Sequence, residues 1–150
     1  METLSISSSA FQEAGVIPLK YTCDGEEINP AIKIENIPQG TSTLALIVED
    51  PDAPNGTFDH WLVWNIAPTD CIKENTVPGI VGKNGAGKTN YYGPCPPSGY
   101  HRYFFNVFAL DSSLELEAGA DKKALQEAMG DHIIAKGSLM GRFQRVRMKA

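Results

Sequence analysis

Short apolar runs bounded by turn residues recur along the chain at Ile32–Ile37, Thr43–Asp50, His60–Ile66, Arg102–Leu110 and Leu139–Arg147. That rhythm predicts a protein built mainly of strands. Within the runs the alternation assigns faces. Leu44, Leu46 and Val48 share one face that ends in Asp50, and His101, Tyr103 and Phe105 share another, opposite Arg102, Phe104 and Asn106. The same count puts His60 with Leu62 and Trp64. One helical stripe stands out: after Asp121, a suitable N-cap, Leu125, Ala128, Met129, His132 and Ile133 fall on one side, with Gly130 as a point where the helix can break. His132, on that stripe, is expected in a packed or hydrogen-bonded core role. The pattern predicts one domain over residues 1–150, mostly β, as a β-sandwich or open β fold; the expected form is a β-sandwich of antiparallel Greek-key type with one or two short helices near the C-terminus.

Ten prolines and fourteen glycines gather between the runs, as in Asp50-Pro51-Asp52-Ala53-Pro54-Asn55-Gly56 and Gly93-Pro94-Cys95-Pro96-Pro97-Ser98-Gly99, and they mark stiff loops. Closely spaced prolines also predict a cis bond, at Ala53-Pro54 foremost.

Composition narrows the partners. Thirteen basic against eighteen acidic side chains leave a net charge of -5, and basic residues cluster only in Arg142, Arg145, Arg147 and Lys149, whose spacing fits the solvent face of a last strand. Nucleic acid is not an expected partner. The first twenty residues lack a basic start and a long apolar run, so neither a signal peptide nor membrane insertion is expected and the setting is read as cytoplasmic. Cys23, Cys71 and Cys95 are widely spaced and odd in number. Free thiols are the expectation.

The segment Gly82-Lys83-Asn84-Gly85-Ala86-Gly87-Lys88-Thr89 matches the nucleotide phosphate-loop pattern letter for letter. Such a loop works by opening a helix whose first amides face the phosphates. Here Asn90-Tyr91-Tyr92-Gly93-Pro94 follows, which cannot continue as helix, and no alternating strand–helix pattern surrounds it. A glycine-rich surface loop is expected instead.

Two proline-rich loops each abut a strand that bears a histidine: Asp50 to Pro54 precedes Phe58-Asp59-His60-Trp61, and Gly93 to Gly99 precedes His101-Arg102-Tyr103. Polar groups ending apolar rows in matched settings are the makings of a pocket mouth. These two regions resemble the signature segments of the phosphatidylethanolamine-binding proteins, also called Raf kinase inhibitor proteins. The Gly-Pro-Cys-Pro-Pro form is similar to the prokaryotic branch, and Gly130-Asp131-His132-Ile133-Ile134 and Gly141-Arg142-Phe143 agree with it. The resemblance implies a β-sandwich with a small anion pocket corresponding to Asp50, His60, Pro94, His101 and Tyr103, and it suggests a homodimer. Where family members carry an aromatic and a second histidine, this chain has Phe58 and Asp59, which predicts an extra negative charge at the mouth.

The expected function is therefore binding of a small anion, phosphate or a phosphorylated ligand, without a cofactor, by a module that could regulate a protein partner such as a kinase or protease. Two other chemistries use the same groups. Asp50, His60 and His101 could serve acid–base hydrolysis, although Ser98 lacks the setting of a nucleophile elbow. They could also ligate iron or zinc, although no closely spaced histidine pair preorganises such a site.

Overall fold

Alternation along the central strands decides the architecture, since each buries both faces against a different partner. The computed structural model describes residues 1–145. Its strands are β1 (Glu2–Thr3), β2 (Ser5–Ser7), β3 (Ile32–Glu35), β4 (Thr43–Asp50), β5 (Phe58–Ile66), β6 (Cys71–Ile72), β7 (Ile80–Val81), β8 (His101–Leu110) and β9 (Ile133–Phe143). One helix, α1 (Lys122–Met129), precedes β9. Six strands form a large sheet in the order β1-β9-β8-β4-β5-β7, and β2-β3-β6 form a small one. β4 and β5 make a hairpin, and β8 returns beside β4 rather than β5, the non-local return of a Greek key. Among the described strands the one departure from antiparallel pairing is β1, which runs parallel to β9.

The inner face of the large sheet carries Leu44, Leu46, Val48, Trp61, Val63, Tyr103, Phe105 and Val107, packed against Ile6, Ile32, Ile34 and Ile72 of the small sheet. Its outer face carries Ala45, Ile47, Leu62 and Trp64, covered by Leu125 and Met129 of α1 and by Leu114. Burial on both faces explains why β4 reads as an almost unbroken apolar run.

α1 starts where the sequence indicates: the Asp121 carboxylate accepts the Ala124 amide at 2.9 Å. It ends at Gly130, whose φ of 35° lies outside the helical region. A 3-10 turn, Gly130–His132, follows, and Ile133 already belongs to β9. The apolar stripe thus continues on a strand. His132 is not a core residue: its side chain is half exposed and its Nδ1 lies 2.8 Å from Asp111 Oδ1.

Other expectations change as well. No peptide bond among the described residues is cis, Ala53–Pro54 included. Cys23 and Cys95 are joined in a disulfide across a sequence separation of 72, and Cys71 alone is free and exposed. Widely spaced cysteines gave no local signal, because the pairing is made by the return of β8 to the front of the sandwich. Of the basic tail, Arg142 lies on β9 and Arg145 pairs with Asp24, whereas Arg147 and Lys149 fall outside the described residues. No helix among the described residues is long and apolar enough to cross a membrane.

Candidate functional site

Three neighbouring strands end together at one edge of the sandwich. β4 ends in Asp50 and β8 begins with His101, and both side chains continue the inner face, as alternation requires. β5 does not follow the simple count. Val48 pairs with Trp61 but Glu49 pairs with Asp59, so His60 is an extra residue in a β-bulge. The bulge turns His60 to the same side as Trp61. The face shared with Leu62 and Trp64 is occupied by Asp59 instead. His60 meets Tyr103 edge-on at 5.2 Å between ring centres and Phe58 at 4.9 Å.

The result is a small cavity of about 140 Å³ whose polar lining is Asp50, His60, His101 and Tyr103, walled by Pro54, Phe58, Tyr92, Cys95 and Pro96. Asp50, His60, His101 and Tyr103 are respectively 3%, 4%, 8% and 1% exposed, so each polar atom there needs a partner or a ligand.

Most of those atoms are accounted for. Asp50 Oδ2 accepts from His101 Nδ1 at 2.7 Å, and Oδ1 accepts the Asp52 amide at 2.7 Å. A carboxylate oxygen only accepts, so His101 carries its proton on Nδ1 and keeps Nε2 for the cavity. Asp52 continues the chain: it takes the Arg102 amide and both arms of its guanidinium at 2.9 Å each. Those hydrogen bonds hold the Asp52 carboxyl down to about 2. The loop after β4 is thus fastened to the start of β8 twice.

His60 is oriented in a parallel way. Its Nδ1 lies 2.7 Å from the Tyr92 carbonyl, which can only accept, so Nε2 is again the free nitrogen. Burial lowers the pKa of His60; the Tyr92 carbonyl and the nearby Asp50, Asp59 and Glu27 carboxylates pull the other way without cancelling it.

Tyr103 is the exception. Its buried hydroxyl has no hydrogen-bond partner, although the Cys95 amide approaches it outside hydrogen-bond geometry. Burial and the Asp50 charge raise its pKa, so the phenol stays protonated and is a donor in waiting.

Asp50, His60, His101 and Tyr103 therefore converge on one cavity. Pro94 does not line it. Its carbonyl accepts the Cys23 amide at 3.1 Å, and the wall is made by the next residues, Cys95 and Pro96. Asp59 adds no charge at the mouth. It projects from the outer face, where Lys122 Nζ sits 2.7 Å from Asp59 Oδ1, an ion-pair contact rather than a well-aligned hydrogen bond, and 3.1 Å from Glu49 Oε2. Lys122 thus pins the backs of β4 and β5 one residue from Asp50 and His60. Sequence reasoning missed Phe58, Tyr92 and Cys95 as lining residues; the place of Phe58 two residues before His60, and of Tyr92 directly before Gly93 of the proline-rich loop, was the available signal.

Ser98 is exposed and lies outside the cavity lining. Asp50 directs both carboxylate oxygens at protein donors.

A family model described as phosphatidylethanolamine-binding protein matches residues 7–144. A UPF0098 protein of Methanothermobacter thermautotrophicus is 42% identical over 150 residues, spanning 95% of this chain and 99% of its own length. A UPF0098 protein of Pyrococcus horikoshii is 45% identical over 149 residues, spanning 92% of this chain and 75% of that protein. The crystal structure of a phosphatidylethanolamine-binding protein homologue from Chlamydia trachomatis, CT736, matches with a TM-score of 0.93 and 38% identity, covering 97% of this chain and 100% of that one. Escherichia coli YbcL shares the fold, with a TM-score of 0.87 at 22% identity over 95% of this chain and 99% of that one.

Proposed function

The chain belongs to the phosphatidylethanolamine-binding protein family, and from that premise we propose that it is a small-anion-binding module whose ligand is phosphate or a phosphorylated small molecule. One observation carries the reading. A buried, unpartnered Tyr103 hydroxyl shares a cavity with two imidazoles whose Nδ1 positions are both occupied, so three convergent groups remain for an oxyanion. An anion leaving water needs such donors, and charge-assisted hydrogen bonds from imidazolium are the strong ones. With His60 neutral, its Nε2 accepts instead, which suits a singly protonated phosphate. Asp50 lines the cavity and acts chiefly through His101, its carboxylate oxygens accepting from His101 and from the Asp52 amide.

We further read the protein as a non-enzymatic regulator of a protein partner such as a kinase or protease, homodimeric and cytoplasmic. The disulfide argues against a permanently reducing compartment, so thiol trapping in cells tests the last point and light scattering the dimer. The Asp50–His101 pair is the observation that favours acid–base hydrolysis as a second reading, which turnover of phosphomonoesters by the full chain would establish.

The decisive test is titration of inorganic phosphate into the protein, followed by NMR of the three histidine side chains. The His60 and His101 signals should move together and saturate at one phosphate per chain, while the half-exposed His132 stays put. Movement of His132 alone would sink the reading.

A further inference from the structure

Resting on the anion-pocket reading, we propose that the Cys23–Cys95 disulfide is a redox clasp, holding one wall of the cavity in its binding arrangement, and that a dithiol reductant weakens phosphate binding by releasing that wall.

Cys95 lines the cavity, and Cys23 belongs to a neighbouring loop that is itself well anchored. Tyr21 of that loop is buried and its hydroxyl donates to Glu74 at 2.5 Å, Thr22 Oγ1 donates to the Leu19 carbonyl at 2.9 Å, and Asp24 pairs with Arg145 at 2.8 Å. The wall is tied to this anchor mainly before Cys95: Tyr91 Oη donates to the Tyr21 carbonyl at 2.8 Å, the Gly93 amide to Glu27 Oε2 at 3.1 Å, and the Cys23 amide to the Pro94 carbonyl at 3.1 Å. Beyond Cys95 the wall runs on through Pro96 and Pro97 and then reaches His101. The disulfide thus fixes a lining residue itself, placed between the hydrogen bonds made before Cys95 and the histidine that faces the ligand. Both cysteines are partly exposed, so a thiolate can reach the bond.

The chemistry balances. A thiolate of the dithiol attacks one sulfur to give a mixed disulfide, and its second thiol displaces that bond. Two electrons and two protons pass to the protein as the Cys23 and Cys95 thiols, and the reductant leaves as its own disulfide. Once released, the wall samples open arrangements. If the competent one is populated about a tenth of the time, apparent affinity falls about tenfold.

The test compares oxidised and dithiol-reduced full chain in two measurements: phosphate affinity by calorimetry, and amide hydrogen exchange across the sequence. We expect phosphate affinity to drop about tenfold on reduction, with faster exchange confined to the stretch from Tyr91 to His101. The double variant C23S/C95S should sit at the reduced level and ignore the reductant, and Cys71→Ser should respond like the parent. Equal affinity in both redox states overturns the clasp, as does faster exchange everywhere, which would make the bond a staple of the whole fold. If the oxidised protein binds no phosphate, the anion reading fails, and the exchange pattern alone decides the clasp: acceleration limited to Tyr91–His101 upholds it, and no change overturns it.

Discussion

Two regions of this molecule advertise phosphate binding, and they differ in what they leave unsatisfied. The loop from Gly82 to Thr89 has the letters of a nucleotide-binding loop, yet every backbone amide from Gly82 to Lys88 already has an acceptor within the chain. The buried Asn84 organises it, taking the Ala86 and Lys88 amides on Oδ1 at 2.9 and 3.1 Å. From Gly82 to Lys88 no backbone amide is left for an anion. The cavity at the ends of β4, β5 and β8 is the reverse case: its glycine content is unremarked, but a tyrosine hydroxyl and two imidazole nitrogens face it unused. A site is defined by the groups a fold positions and does not consume, and a motif reports residue types without that accounting.

The comparison breaks most readily at His101. His101→Ala should weaken phosphate binding by about 100-fold, the loss of one charge-assisted hydrogen bond of about 3 kcal/mol. It should also destabilise the protein, by about 3 kcal/mol or more, because Asp50 stays buried without its partner. Calorimetry and chemical denaturation read the two effects, and a variant that binds phosphate like the parent removes His101 from the site.

How far could residues alone lead here? β4 was legible from end to end, because its alternation is undisturbed and Asp50 falls where the count puts it. His101 and Tyr103 were legible for the same reason. His60 was found as a residue but placed on the wrong face, since a bulge adds one residue to a period of two and nothing in Phe58-Asp59-His60-Trp61 announces it. Asp59 was misplaced by the same slip. The disulfide was illegible because its two cysteines meet only through tertiary return of the chain. The start of β9 was taken as helix because Ile133 extends a helical stripe that Gly130 had already interrupted. Errors thus gather where a local period is broken or where pairing is made at long range.

Acidity offers the next largest lever. His60 is held neutral by burial, with its pKa below the ordinary value of about 6.5. In the folded state without ligand its contribution to stability is present above that ordinary value. It is lost as pH falls through it and on through the depressed folded value, because the unfolded chain takes up the proton first. An anion reverses the preference by stabilising the imidazolium. Affinity for sulfate, whose own charge is constant in this range, should therefore rise as pH falls from about 8 to 5, by at most about tenfold per unit for one linked proton, while stability falls. His60→Gln should flatten the affinity profile. A profile already flat in the parent would mean that His60 takes up no proton with the anion.

Tyr103→Phe tests the unsatisfied donor with a smaller effect. Deleting one neutral hydrogen bond should weaken phosphate binding about fivefold, since such a bond contributes about 1 kcal/mol. Stability should stay level or rise by up to about 1 kcal/mol, because the hydroxyl is buried without a partner when the cavity is empty. Opposite signs for affinity and stability are what separate a ligand-facing donor from a structural tyrosine, and a fall in both would assign Tyr103 to the core.

Lys88→Ala should do nothing measurable to phosphate binding, and its stability change should stay within about 0.5 kcal/mol, as for an exposed residue away from caps and networks. In a working nucleotide loop this lysine would reach the terminal phosphates over a cradle of free amides. Here its own amide is bound to Asn84, its carbonyl accepts the Asn84 amide at 2.8 Å, and its side chain is on the surface. The conformation is maintained by Asn84, so Asn84→Ala should cost about 1 kcal/mol or more by leaving the part-buried amides of Ala86 and Lys88 without their acceptor, and Lys88→Ala should not. Magnesium-dependent ATP binding by the parent that disappears in Lys88→Ala would overturn the contrast, because it would require the loop to give up its internal hydrogen bonds in favour of a phosphate.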